Sequence, residues 1–323
     1  MLNIKARLLQ DPGIGTNFDR PVDRLVAPDG SFTVKRVGAS AGLREAFVSL
    51  VSMSNGRFIL VLAAGYAFIN ALFGALYMAA GVEGIGNARL DTLTDRWYTA
   101  LGMSVQTITT VGYGAFYPDS RAIWAVVAME GMFGILSFSL IAAVMFARFA
   151  RPTARLAYCE KALIAPFQEG WSFQMRLANR RSTLLMEVEA QMMLVMADVD
   201  TQGERLNYYN MPLQLAKISF MPLSWTLVHP INAESPFAGL SMQDLTQRRA
   251  EVIVIFKGID EGYMQHVFTR HSYRFDEIVW GARFVRAFTA NPQGGMELDL
   301  DKLSQHDILD LPERIPVAEV KAT

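Results

Sequence analysis

Between Phe58 and Ala80 the chain reads FILVLAAGYAFINALFGALYMAA, without a charge and with one amide, Asn70. At about 1.5 Å of rise per residue this run makes roughly 35 Å of helix, enough to cross a hydrocarbon layer of about 30 Å. A second run, Ala122 to Ala147, contains one charge, Glu130, and is also long enough. Composition points the same way. Hydrophobic residues make up 51% of the 323 and charged residues 19%, against about 25% charged in a soluble chain. The formal net charge of -1 (30 basic, 31 acidic) lacks the basic excess that phosphate binding needs, so no nucleic-acid partner is expected. The apolar content excludes disorder over most of the length. A lone cysteine, Cys159, excludes an internal disulfide framework and a multi-cysteine zinc site. No nucleophile–base set, phosphate loop or metal cluster is spelled out, so neither an enzyme nor a bound cofactor is expected.

Residues 1–39 are polar, broken by Pro12, Gly13, Gly15, Pro21, Pro28 and Gly30, and lack the pattern of a secretory signal. They read as a mostly irregular N-terminal arm. Lys35, Arg36, Arg44 and Arg57 precede the first run, and Arg148, Arg151, Arg155 and Lys161 follow the second. The segment between holds Arg89, Arg96 and Arg121 beside Glu83, Asp91, Asp95 and Asp119. By the positive-inside rule both termini are cytoplasmic, and the chain is expected in the cell membrane. Residues 40–57 carry Leu43, Phe47, Leu50 and Val51 at helical spacing, which reads as a short interfacial helix or as the start of the span. A pore-type domain is expected over 58–152, with spans 58–80 and 122–149. Within it, Trp97, Leu101, Ser104, Val105 and Ile108 fall on successive turns of an apolar half-helix too short to cross. It runs into a Gly-rich stretch, so 94–114 reads as a re-entrant helix and loop. Non-helical backbone survives at that depth only where it lines water or lies within protein.

The loop is Thr110-Val111-Gly112-Tyr113-Gly114, the string of potassium-channel filters, whose carbonyls replace the ion's hydration shell. Gly112 and Gly114 can reach the positive φ that turns successive carbonyls to one side. Val111 and Tyr113 are expected to face away and wedge against the half-helix. One chain supplies one loop, so a homotetramer is required, with potassium as the permeant ion. Further along come Phe146-Ala-Arg-Phe-Ala-Arg-Pro152, Ser224-Trp-Thr-Leu-Val-His-Pro-Ile-Asn-Ala-Glu-Ser-Pro236 and Glu277-Ile-Val-Trp-Gly281. With the loop, these strings resemble the prokaryotic inward-rectifier potassium channels, the KirBac group, over roughly Leu43 to Thr289. The resemblance implies a homotetramer with an interfacial slide helix, two spans, a pore loop and a cytoplasmic immunoglobulin-like β-sandwich that extends the pore. It favours Phe146 as a hydrophobic gate and the arginines after the second span as a site for anionic lipids. Animal members pair a pore-helix glutamate with an arginine just past the filter. Gln106 and Phe116 stand there instead. Between Gly134 and Arg148 there is no acid, so strong rectification is not expected.

The sandwich has independent support. Leu184, Met186, Val188, Ala190, Met192, Leu194 and Met196 alternate with Leu185, Glu187, Glu189, Gln191, Met193 and Val195, a period of two. Glu251–Phe256 and Ala282–Phe288 read as further strands. An all-β domain is expected over 153–300, with a tail over 301–323. Candidate functional residues are the filter Thr110–Gly114, the gate Phe146, a hinge or packing glycine at Gly134, and Arg148, Arg151 and Arg155 for anionic lipids. Glu187, ahead of Glu189, Asp260 and Glu261, is the first choice for an acid lining a cytoplasmic pore. Glu130 is a functional candidate because ionisable groups in hydrocarbon rarely lack a role; it reads as neutral, as bonded to the half-helix, or as an ion ligand. His271 is a candidate pH-sensing group or a structural one. The alternative from another class is a membrane-anchored sensor whose sandwich binds a partner, which leaves the re-entrant half-helix without a purpose.

Overall fold

The computed structural model describes residues 8–18, 22–35, 37–38, 42–150, 155–200 and 203–309. The chain divides into two compact units, one of residues 37–151 and one that joins 1–36 to 152–323.

In the first unit, helix α1 (Leu43–Ser52) opens with the Glu45 carboxylate accepting from the Gly42 N–H at 3.2 Å. It stops where Met53 turns extended. Helix α2 (Asn55–Gly81) begins two residues later and ends at Gly81, where φ is +94°. The interfacial segment expected as 40–57 is therefore a ten-residue helix, and 55–57 belong to the long helix. Helix α3 (Leu93–Ile108) starts in a reciprocal cap between Thr92 and Asp95. Such a cap satisfies two of the orphan donors of a first turn. Helix α4 (Arg121–Phe149) is capped by Ser120, whose hydroxyl accepts from the Ile123 N–H. It continues unbroken through Gly131 and Gly134.

The two long helices are apolar all round, yet only 17% and 11% of their most apolar stretches are buried in the chain. A soluble protein would bury them; lipid or further copies of the chain must cover these. The main buried core of the unit gathers at one end. Phe73, Tyr77, Val82, Ile85, Ala100, Met103, Ile123 and Val126 form a core in which α3 is wedged between α2 and α4. Close approach is set by small residues. A Cβ on Gly74 would stand 2.9 Å from Leu101, and one on Gly102 would stand 2.7 Å from the Phe116 ring.

The second unit is a β-sandwich. One sheet runs Asn17–Phe18, Gly203–Asn210, Leu185–Asp200, Glu251–Asp260, Gln265–Arg274, with Lys217–Phe220 also paired to Leu185–Asp200. The other runs Ser224–Ile231, Gly170–Asn179, Ala162–Phe167, Ile278–Trp280, with Leu156–Tyr158 also on Gly170–Asn179. Their inner faces share one core, including Leu163, Phe173, Leu194, Trp225, Leu227, Val254 and Phe256. Strand Ser224–Ile231 alternates strictly, with Trp225, Leu227 and Ile231 inward.

Three expectations need correction. The alternation over 184–196 slips at Glu187, which has φ +47° and sits where Glu187 and Val188 face Gly258 alone. This is a bulge. It puts Leu185, rather than Leu184 or Met186, in the core with Val188 and Ala190. Ala282–Phe288 is not one strand: Ala282–Phe284 pairs with His306–Ile308, and Phe288–Ala290 with Met296–Leu298. The tail expected from 301 thus contributes a strand, and Leu303 is buried; residues 310–323 lie outside the described part. The N-terminal arm packs on the outer face of the larger sheet. Asn17–Phe18 pairs with Glu204–Arg205, and Leu25 and Val26 are buried against Met193, Val195, Tyr208 and Ile253. The buried Glu251 carboxylate fixes it by accepting from the N–H groups of Leu25 and Val26 at 2.8 and 3.2 Å.

Candidate functional site

Helix α3 hands over to the loop through backbone bonds. The Thr110 N–H donates to the Thr107 carbonyl at 3.1 Å and the Gly112 N–H to the Gln106 carbonyl at 3.3 Å. Beyond them φ is positive at every second residue: +58° at Thr110, +55° at Gly112, +75° at Gly114. Nothing lies within 4 Å of a Cβ built on either glycine, so backbone conformation rather than space requires glycine there. Thr110 is a β-branched residue in the left-handed region, a strained state found at functional sites. The string marked Thr110 as a filter residue but not its left-handed backbone. Val111 is 50% and Tyr113 84% exposed, so within one chain the tyrosine does not wedge against its own half-helix as expected.

The chain returns over the loop by pairing Tyr117–Pro118 with Ile85–Gly86. Asn87 holds the Ala115 carbonyl at 3.2 Å. Gln106 is buried and its Nε2 donates to the Phe116 carbonyl at 2.5 Å. A neutral hydrogen bond thus ties the half-helix to the segment after the loop, at the positions where animal members of the resembled group carry an ion pair.

Behind α3 lies a buried polar cluster. Glu130 is wholly buried. One carboxyl oxygen lies 2.5 Å from the Tyr77 hydroxyl and the other 2.5 Å from the Ser104 hydroxyl. Ser104 is also 3.1 Å from Asn70 Oδ1, and Asn70 Nδ2 donates to the Tyr66 carbonyl at 2.8 Å. Of the readings of Glu130, the bond to the half-helix is present.

Gly134 is buried where α4 crosses the end of α3. A Cβ there would stand 3.0 Å from the Ile108 carbonyl and 3.3 Å from its Cα, so close packing accounts for this glycine. Phe146 is 74% exposed. Arg148 differs from its expectation. Its Nη1 donates to the carbonyls of Leu50 and Val51 at 2.6 and 3.2 Å, and its Nη2 to the Met53 carbonyl and Asn55 Oδ1 at 2.9 and 2.7 Å. The guanidinium also lies 4.4 Å from the Phe58 ring. It caps the C-terminal carbonyls of α1, which otherwise lack partners, and its donors are engaged within the chain. Arg155 is exposed; Arg151 lies outside the described residues.

Glu187 pairs with Lys217, Glu189 with Lys257 at 2.8 Å, and Asp260 is buried in its turn with the Gly262 N–H at 2.9 Å. A compensated acid at a bulge is not a bare pore-lining charge, so the reason for preferring Glu187 is gone. His271 stacks on Tyr158 at 4.4 Å between centroids, and burial holds it down to about 4, with Arg24 adding to the shift. It stays neutral at physiological pH, which removes it as a sensor. Burial pushes the Cys159 thiol up, beside the Tyr273 hydroxyl at 3.2 Å. No group of three or more His, Cys, Asp or Glu suited to a metal occurs among the described residues.

A half-helix and strained loop held between two membrane-length helices define a membrane channel rather than an enzyme. Residues 56–151 match the family described as Ion channel, and residues 156–321 that described as Inward rectifier potassium channel C-terminal domain. The chain is 33% identical over 285 residues to inward rectifier potassium channel Kirbac3.1 of Paramagnetospirillum magnetotacticum, covering 87% of this chain and 95% of that one. It is 25% identical to inward rectifier potassium channel irk-1 of Caenorhabditis elegans and 26% identical to inward rectifier potassium channel 18 of Homo sapiens. Those alignments cover 80% and 75% of this chain but 51% and 60% of the animal proteins. The chain belongs to the inward rectifier potassium channel family and resembles its prokaryotic members.

Proposed function

We propose that four copies of this chain close a ring in which the carbonyls of Thr110–Gly114 replace the hydration shell of potassium. The carrying observation is the alternation of φ along the loop. Neighbouring residues with φ of opposite sign turn successive peptide planes the same way, so a column of oxygens faces one side. One column is one wall, and a closed ring requires cyclic symmetry. The bare Tyr113 ring supports assembly, because an aromatic of that size in a strained loop is expected to pack on another copy.

Both termini are cytoplasmic in this reading, from the arginine asymmetry. Four Phe146 rings, exposed in the single chain, form a hydrophobic constriction that closes by dewetting. Rectification is weak, since α4 offers no acid between Gly134 and Arg148. Anionic lipid regulates opening through Arg155 and Arg151, each contributing about 1 kcal/mol near a charged surface. Arg148 is left out because its donors are taken.

The test is cation uptake by purified protein in liposomes. Uptake of potassium and rubidium with exclusion of sodium, and block by barium, is expected. Equal sodium uptake contradicts the filter. Phe146→Ala should raise uptake, and unchanged uptake removes Phe146 as the gate. Neutralising Arg151 and Arg155 together should change the dependence on anionic lipid; an identical dependence leaves them as orientation signals.

A further inference from the structure

The Glu130 cluster is a bonded set whose protons can be counted. Asn70 is oriented by its own bonds: Nδ2 donates to the Tyr66 carbonyl at 2.8 Å, so Oδ1 faces Ser104 as an acceptor. The reverse orientation would set two oxygens against each other at 2.8 Å. The Tyr77 hydroxyl, 2.5 Å from Glu130 Oε2, donates to it. Ser104 then stands between two acceptors, Asn70 Oδ1 at 3.1 Å and Glu130 Oε1 at 2.5 Å. A serine hydroxyl has one proton to give. If it serves the carboxyl, Asn70 Oδ1 is left buried and unpaired against another oxygen. If it serves Asn70, the carboxyl must itself donate to Ser104. Of these two arrangements, only the second gives Asn70 Oδ1 a donor. No cation pairs with Glu130 among the described residues, and burying an unpaired carboxylate costs several kcal/mol.

We propose that Glu130 is a positioning residue for selective conduction that acts as a hydrogen-bonding acid carrying its proton, not as a charge. It ties α3 to α2 through Ser104 and Asn70, and α4 to α2 through Tyr77. Its position is one turn from Gly134, where α4 meets Ile108, the last residue of α3. The half-helix is thereby fixed from behind by Glu130 and in front by Gln106, by hydrogen bonds at both places. This rests on reading Thr110–Gly114 as the filter.

Two measurements test it on the full-length protein in lipid. Infrared difference spectroscopy should show the carbonyl stretch of a protonated carboxylic acid at neutral pH, absent from Glu130→Gln. A carboxylate band in its place would overturn the proposal whatever the flux. In liposomes Glu130→Gln, which keeps one donor and one acceptor, should hold the rubidium-over-sodium ratio within about twofold of wild type. Ser104→Ala and Glu130→Ala should lower that ratio about tenfold or more, the size of one buried bond lost. Glu130→Gln as unselective as Glu130→Ala would overturn it. Should Glu130→Ala not fold, Glu130→Gln against Ser104→Ala carries the comparison. A wild-type protein that admits sodium equally contradicts the filter reading instead, and the infrared band still decides the proton.

Discussion

Thr110, Gly112 and Gly114 carry the positive φ values of the loop, and only the glycines carry them without strain. In Gly112→Ala the new methyl meets open space, so the cost is conformational, about 1–2 kcal/mol for an L-residue in the left-handed region. Selective rubidium uptake should be lost with little change in assembly; retained selectivity would contradict the carbonyl geometry. Arg148→Lys separates two roles of one residue. Lysine keeps the charge that lipid would read but cannot fork to four acceptors on α1 and Asn55. Thermal stability should fall by about 1–3 kcal/mol while the dependence on anionic lipid stays as in wild type. An unchanged melting temperature with altered lipid dependence would restore the lipid role. His229 and His271 set the acid limit of the sandwich. His229 donates from Nδ1 to the Pro212 carbonyl and accepts at Nε2 from Ser235, and burial holds it down to about 4. Unfolded histidine titrates near 6.5, so between there and pH 4 only the unfolded chain takes the proton. Stability is therefore complete above pH 6.5 and falls as the pH drops toward 4, by roughly 2–3 kcal/mol per histidine. His271 Nδ1 is buried without a partner, so His271→Phe should flatten part of that slope without lowering stability at pH 7. Melting curves across pH 4–7 measure both.

At the scale of elements, what the sequence revealed followed from periodicity and length. The charge-free run 58–80 lies within α2, and the mixed run 122–147 within α4. Helix starts were less visible, because caps decide them: Gly42 with Glu45 at α1, Thr92 with Asp95 at α3, Ser120 at α4. The strand Leu185–Asp200 was visible as alternation, but its bulge was not, since Glu187 carries no mark of a left-handed residue. Glu187→Val puts a β-branched side chain there and removes the Lys217 pair. It should destabilise the sandwich by about 1–2 kcal/mol, whereas Glu187→Gly should be close to neutral. Equal melting temperatures for the two would contradict the bulge. The docked arm was hidden for another reason. Two strand residues and two buried ones, Leu25 and Val26, are too few to show a period, and the bonds that fix them come from Glu251, more than two hundred residues away. Of the site, the loop string could be read directly. The clasp of Arg148 and the bond from Gln106 to Phe116 could not, because both end on backbone carbonyls, which every residue has.

The whole molecule is incomplete as a single chain. Its long helices leave most of their apolar surface bare, its loop exposes Tyr113, and a column of carbonyls on one side of one loop encloses nothing. The proposed ring of copies would cover all three. The most direct measurement is the structure of the purified assembly in lipid with rubidium as the permeant ion. Four chains around one axis, with rubidium density between the carbonyls of residues 110–114, is the expected result. A stable monomer, or a loop turned away from a shared axis with no ion beside it, would contradict it.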